Sequence, residues 1–217
     1  MSPNLTNLIQ FMEFINKFKL IKRTVFVAGE NPKRQENDAE HSFELAMVGW
    51  YLVDSLKLDL DLNKILKYSL THDLVEIYAG DIDSFMYPNE DISKLKEENE
   101  HKAFEQIKLE FKDFPEMLKY IQEYEQKLDR ESVFVYVLDK VIGDFGWNFI
   151  YKGTLKECGI SEQAMLTRRD QKISRFPLFL DYYNEALDLW KQDPDQFAEI
   201  DFVPEWKKNL ETGYIKF

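Results

Sequence analysis

Cysteine occurs once in the 217 residues, at Cys158. No intramolecular disulfide can form, and the usage fits a reducing compartment. Glycine (8) and proline (7) are scarce, too scarce for an all-β domain built on many tight turns. Positive charge is also short: 28 Lys and Arg stand against 40 Asp and Glu, a net charge of -12. That balance argues against a nucleic-acid polymer or an anionic membrane as partner, since both are held by cationic side chains. Long apolar runs are missing. The N-terminal "MSPNLTNLIQFMEF" has polar residues inside every apolar stretch, so neither a signal peptide nor a membrane span is expected there. Repeats, low-complexity tracts and Pro/Ser-rich linkers are missing too. The expectation is a soluble, cytoplasmic chain.

What is present is apolar and helical. Hydrophobic residues make up 44% and aromatics 15%, enough for one sizeable core, and nothing demands a second domain. In "NLTNLIQFMEFINKFKLI", Leu8, Phe11, Phe14, Ile15 and Phe18 fall on one helical stripe. Lys22 to Asn37, with Gly29, Pro32 and several charges, reads as a loop. Asp38 is a plausible N-cap for a helix reaching about Leu58, apolar on nearly every side and therefore expected to be central and buried. A second buried helix is expected from about Asp61 to Ala79, stopped by Gly80. A loop with Pro88 follows, then a charged helix from about Ser93 to Phe111. Pro115 opens another to about Lys127. Ser132 to Tyr151 is long and unbroken by turn signals, hence helix rather than strand. Helices near Ser161–Ser174 and Pro177–Trp190 precede an acidic, aromatic tail. The fold class is all-α, with roughly seven to nine helices.

The segment "THDLVEIYAGD" departs from that pattern. The chain has three histidines, and one of them, His72, is followed directly by Asp73; Glu76 lies a turn further on and Asp81 just past Gly80. On a helix Glu76 shares a face with His72 and Asp73. Imidazole and carboxylate together suit divalent transition metals, so His72 and Asp73 form a credible half-site. His41, in line with Leu45, Val48 and Leu52, is the best candidate for the other half. Asp139, alone in "VFVYVLDKVIGDF", has to be paired, hydrogen-bonded or metal-bound. Each has a bland alternative: a satisfied core histidine, an ion pair from Asp139 to Lys140 or Lys127, solvated acids at a helix end. His101 sits in the charged "KLKEENEHKAFEQI" and reads as a surface residue. Cys158 has no neighbouring base and reads as structural.

The order His41, His72–Asp73, Asp139 resembles the H…HD…D pattern of the HD-domain metal-dependent phosphohydrolases, and within them the 5'-deoxynucleotidase group. "ENDAEHSFELAMVG" looks like that group's first ligand segment, "HDLVEIYAGDI" is similar to its HD–x–x–E–x–x–x–GD–[IL] signature, "LKEENEHKAFEQI" resembles its following acidic helix, and "VLDKVIG" supplies the last ligand. The likeness runs from about Leu20 to Gly143. It implies a single HD domain over 1–217, with a core of about 20–150 and the C-terminal helices and tail of 160–217 packed on it.

The resemblance further implies a buried site between central helices, with one divalent ion (Mn, Co, Fe, Zn or Mg) held by His41, His72, Asp73 and Asp139. Glu76 would be the acid/base, Asp81 would face the sugar hydroxyls and assist catalysis, and Arg23 would contact the phosphate. The bacterial members carry a tryptophan after that arginine, where this chain has Thr24, and their loop to the first histidine is about three residues shorter. Both departures bear on ribose against deoxyribose. The implied activity is metal-dependent hydrolysis of (deoxy)nucleoside 5'-monophosphates, by a homodimer. The alternatives are another small phosphate ester or a nucleoside polyphosphate as substrate, or a non-catalytic helical module stabilised by its metal.

Overall fold

The structure is a computed structural model that describes residues 4–27, 34–81, 90–150, 154–193 and 195–201. Its elements run in the order α1 (Leu5–Phe18), β1 (Lys22–Phe26), β2 (Gln35–Asn37), α2 (Asp38–Ser55), α3 (Leu62–Thr71), α4 (Glu76–Ala79), α5 (Glu90–Glu110), α6 (Pro115–Gln126), α7 (Arg130–Phe145), a π-helical turn (Gly146–Ile150), α8 (Thr154–Glu157), α9 (Glu162–Ile173) and α10 (Pro177–Trp190). The all-α class holds, with one short ladder added. The chain divides into two compact units, 1–139 and 140–217, and the division falls within α7.

Local chemistry explains the helix starts in the first unit. Asn4 accepts from the Asn7 amide and caps α1. Asn37, not Asp38, caps α2: its side chain accepts from the Ala39 and Glu40 amides, while the Glu40 carboxylate accepts from the Asn37 amide. Two orphan donors of the first turn are satisfied reciprocally, so Asp38 becomes the first helical residue. Asp61 caps α3 through the Asn63 and Lys64 amides, and Pro115 opens α6, where its missing N–H costs nothing.

Three expectations need correction. Lys22 to Asn37 is not all loop: β1 and β2 pair antiparallel, with Lys22 opposite Asn37 and Phe26 opposite Gln35. The Gly29 and Pro32 that suggested a loop lie outside the described residues. The helix expected from Asp61 to Ala79 breaks after Thr71, and the backbone turns through His72–Val75 before α4. Finally, α2 is not buried all round. Leu45 and Leu52 are in the core, but Phe43, Met47, Trp50 and Tyr51 stand at 66%, 46%, 48% and 67% exposure. These four recur at one face of the helix, and apolar content alone could not tell a covered face from a bare one.

The core of this unit gathers Phe14 and Phe18 of α1, Leu74, Val75 and Ile77 around α4, Ala103 and Ile107 of α5, Phe111, and Met117 and Ile121 of α6. Gly49 lets α2 come close to its neighbours: a Cβ there would stand 3.0 Å from Ile65 Cγ2 of α3 and 3.5 Å from Leu138 Cδ2 of α7. Histidines 41 and 72 and Asp139 are carried on these three helices or at their ends. In the second unit, Arg169 donates twice to the buried Asp144, at 2.8 and 2.9 Å, and Phe145, Tyr183 and Trp190 pack their rings together. Cys158 is buried there, as its structural reading requires.

Candidate metal centre

His41 sits in the first turn of α2 and is 2% exposed. Its Nε2 is 2.9 Å from Asp139 Oδ1, which also lies 3.6 Å from Arg23 Nη2. His72 caps the C-terminal end of α3, its ring 5.3 Å from that of His41 between centroids. One ligand-type atom each from His41, His72 and Asp73 lies within 4.8 Å of the others, and the same is true of Asp38, Asp73 and Glu76. The four expected ligands are thus together: three in one cluster, and Asp139 joined to it through His41.

The break after α3 is what makes this possible. A continuous helix would carry His72 and Asp73 to directions about 100° apart; in the turn, Asp73 Oδ2 comes to 2.8 Å from His72 Nε2. The contact is informative chemically. His72 Nδ1 is 3.0 Å from the Ser69 carbonyl oxygen, which can only accept, so Nδ1 carries a proton and Nε2 is the ring nitrogen turned toward Asp73. Among the described residues that buried Nε2 has no hydrogen-bond partner. A ring nitrogen and a carboxylate oxygen facing each other at this distance need a proton or a metal ion between them, and the carbonyl that fixes the ring is the support found behind metal-ligating histidines.

Charge in the cluster is unbalanced in the same direction. Arg23 Nη1 donates to Asp73 at 2.9 Å and to Asp38 at 3.4 Å, its Nη2 is 3.6 Å from Asp139, and its Nε is 3.7 Å from Glu36. Lys96 on α5 donates to Glu76 at 3.2 Å and lies 4.0 Å from Asp81. Six carboxyls (Glu36, Asp38, Asp73, Glu76, Asp81, Asp139) thus gather around Arg23 and Lys96. The acids respond accordingly. Burial, then Asp73, pushes Asp38 up to about 8, and burial outweighs Arg23 to bring Glu36 to about 7. Burial and Asp81 raise Glu76 well above the carboxylate range. Burial would also raise Asp73, but His72 and Arg23 together hold it well below its ordinary value. Burial and the Arg23 charge bring His41 down to about 4, so its imidazole is neutral near pH 7, the form that ligates metal. Two imidazoles among excess carboxylates form a donor set that fits a divalent ion.

The remaining expected residues fall around this cluster. Glu76 opens α4 and is 3% exposed; Asp81, just past Gly80 (φ 75°), is half-buried. Arg23 reaches in from β1, bonded to the acids themselves. Thr24 follows it in β1, and its side chain lies outside the described residues. His101 is exposed on α5, as a surface residue should be. Sequence reasoning missed Asp38, Glu36 and Lys96. "ENDAEH" packs three acids before His41, a visible signal, but an acid at a helix start already has an ordinary explanation in capping and the helix dipole.

Residues 15–178 match the family model of the HD domain, and the chain belongs to that family. Among curated relatives it is similar to the human 5'-deoxynucleotidase HDDC2, 29% identical over 137 residues that cover 62% of this chain and 63% of that protein. The chain thus spans under two thirds of the human protein's length. The Dictyostelium discoideum 5'-deoxynucleotidase HDDC2 is 30% identical over 145 residues, 63% of this chain and 73% of that one. Among solved structures, a predicted metal-dependent phosphohydrolase from Magnetospirillum magnetotacticum superposes with a TM-score of 0.74 at 26% identity, covering 91% of this chain and 100% of the other. An HD-domain phosphohydrolase from Listeria innocua, at 15% identity and a TM-score of 0.51, shares the fold. Among the described residues no helix is long and apolar enough to cross a membrane.

Proposed function

We propose that this chain is a metal-dependent phosphohydrolase that splits (deoxy)nucleoside 5'-monophosphates into nucleoside and phosphate. The observation that carries the reading is the convergence of His41, His72 and Asp73, with Asp139 on His41, beside the further buried carboxyls Asp38 and Glu76. The HD-domain family, the phosphohydrolase of similar fold and the deoxynucleotidase relatives support it.

His41, His72, Asp73 and Asp139 would hold one divalent ion. When bound, such an ion polarises a phosphoryl oxygen and lowers the pKa of a coordinated water. The protein's own contribution is then positional and protonic. Glu76, buried and driven toward its protonated form, is the group to hold or return the proton at its carboxyl oxygen. Arg23 carries a planar fork of donors already inside the cluster, the geometry suited to a phosphate's oxygens. Asp81, half-buried just past Gly80, would take a sugar hydroxyl. The same ligands would serve another small phosphate ester or a nucleoside polyphosphate.

The test is phosphate release from a panel of ribo- and deoxyribonucleoside 5'-mono- and triphosphates, by metal-stripped protein with and without Mn or Co. Metal-dependent turnover of the monophosphates is expected, and the ribo/deoxy ratio reports what Thr24 permits. Turnover of triphosphates alone shifts the reading to a polyphosphate substrate. A metal-loaded protein silent on every phosphate ester overturns it in favour of a helical module in which metal serves structure.

A further inference from the structure

Glu76 is awkwardly placed for an acid/base. It opens a helix of four residues, is 3% exposed, and crowds against Asp38 and Asp73 with Asp81 close by. Its Oε2 has no hydrogen-bond partner among the described residues. Carboxyls this close repel when ionised, so a counter-charge beside Glu76 both favours its charged form and fixes where its oxygens point.

That counter-charge comes from a helix the sequence presents as merely solvated. Lys96 of α5 donates to Glu76 Oε1 at 3.2 Å, leaving Oε2 as the oxygen without a bond. The same ammonium is 3.4 Å from Glu100 on its own helix and 4.0 Å from Asp81. Its side chain is 25% exposed, whereas that of Lys108, on the same helix, is 54% exposed and pairs only locally with Glu105. α4 and α5 pack against each other, so the link joins two elements rather than two turns of one.

We infer that Lys96 is a positioning residue for the proposed hydrolysis: its ammonium ties Glu76 and Asp81 to α5 and fixes the Glu76 carboxylate in the cluster. The inference rests on the phosphohydrolase reading and assigns Lys96 a role toward Glu76, not toward the metal ligands. Because Glu76 is the nearer partner and Asp81 lies 4.0 Å away, losing Lys96 is expected to lower kcat more than it raises KM.

The experiment compares wild type with Lys96→Met, Lys96→Gln and Lys96→Arg, each loaded with Mn. For the nucleoside monophosphates, Lys96→Met and Lys96→Gln are expected to lose about 10- to 100-fold in kcat with KM within about threefold. Lys96→Arg, which keeps the charge, recovers most of the loss. Bound metal per chain and Tm stay at wild-type values. A crystal structure of Lys96→Gln shows Glu76 displaced from Asp38 and Asp73. Turnover within about twofold of wild type in Lys96→Met, a rise in KM alone, or an equal loss in Lys96→Arg accompanied by metal loss overturns the inference. So does Glu76 unmoved in the crystal structure, whether or not wild type turns over. A wild type inactive on every ester overturns the phosphohydrolase reading instead, and the crystallographic result then decides for Lys96.

Discussion

At the residue scale the site is a contest between acids, and metal-stripped protein is where that contest is measurable. Asp38 is raised from the ordinary 3.8 to about 8 by burial and by Asp73. The unfolded chain therefore releases this proton first, and between about pH 4 and pH 8 the folded state loses stability as pH rises. Asp38→Asn removes that loss. Stripped of metal, the variant is expected to melt at least about 4 °C above wild type at pH 9 and level with it at pH 4, by thermal unfolding at both values. Equal melting at pH 9 would show that Arg23 already neutralises Asp38. With metal present Glu76 and His72 separate cleanly: Glu76→Gln is expected to retain the ion by elemental analysis but to lose about 10²- to 10⁴-fold in phosphate release, whereas His72→Ala loses both. Much of this was legible, because His72–Asp73, His41, Asp139 and Glu76 stand out against apolar or helical surroundings. Lys96 was hidden for the opposite reason: in "KLKEENE" one more charge reads as part of a wet face, and only the packing of α5 on α4 turns it inward.

At the scale of elements, the sequence carried period well and contact poorly. α10 runs over Pro177–Trp190, as its opening proline and apolar stripe imply, and α6 ends one residue short of the expected Lys127, which takes the left-handed conformation at φ 50°. What could not be read was the break between α3 and α4. His72 to Val75 has no glycine or proline; in the turn His72 bonds back to Ser69 and Asp73 meets Arg23 of β1. The short β1–β2 ladder is equally tertiary, lying over the start of α2 and delivering Arg23. The two faces of α2 make a test of packing. Gly49→Val drives methyls into Ile65 and Leu138 and is expected to cost about 1–3 kcal/mol, read by urea unfolding. Tyr51→Lys, on the 67% exposed face, is expected to stay within about 0.5 kcal/mol of wild type. A large loss from Tyr51→Lys would mean that face is covered in solution.

For the molecule as a whole, the question is why a chain with net charge -12 gathers so many carboxyl groups in one buried cluster. A resident cation answers it, and folding and metal binding are then linked: ion at 100 times its Kd adds about 2.7 kcal/mol to stability. The HD-domain family and the similar phosphohydrolase fold bear on chemistry of this kind, while the proposed substrate assigns roles to Arg23, Thr24 and Asp81 that the nucleotide panel tests. The most direct measurement is a titration of Mn into metal-stripped protein, following phosphate released from a deoxynucleoside 5'-monophosphate. Activity is expected to rise from none to a plateau at one ion per chain, and His41→Ala is expected to abolish the rise. A rate that is the same with and without metal, or a chain that binds one ion and releases no phosphate, would contradict it.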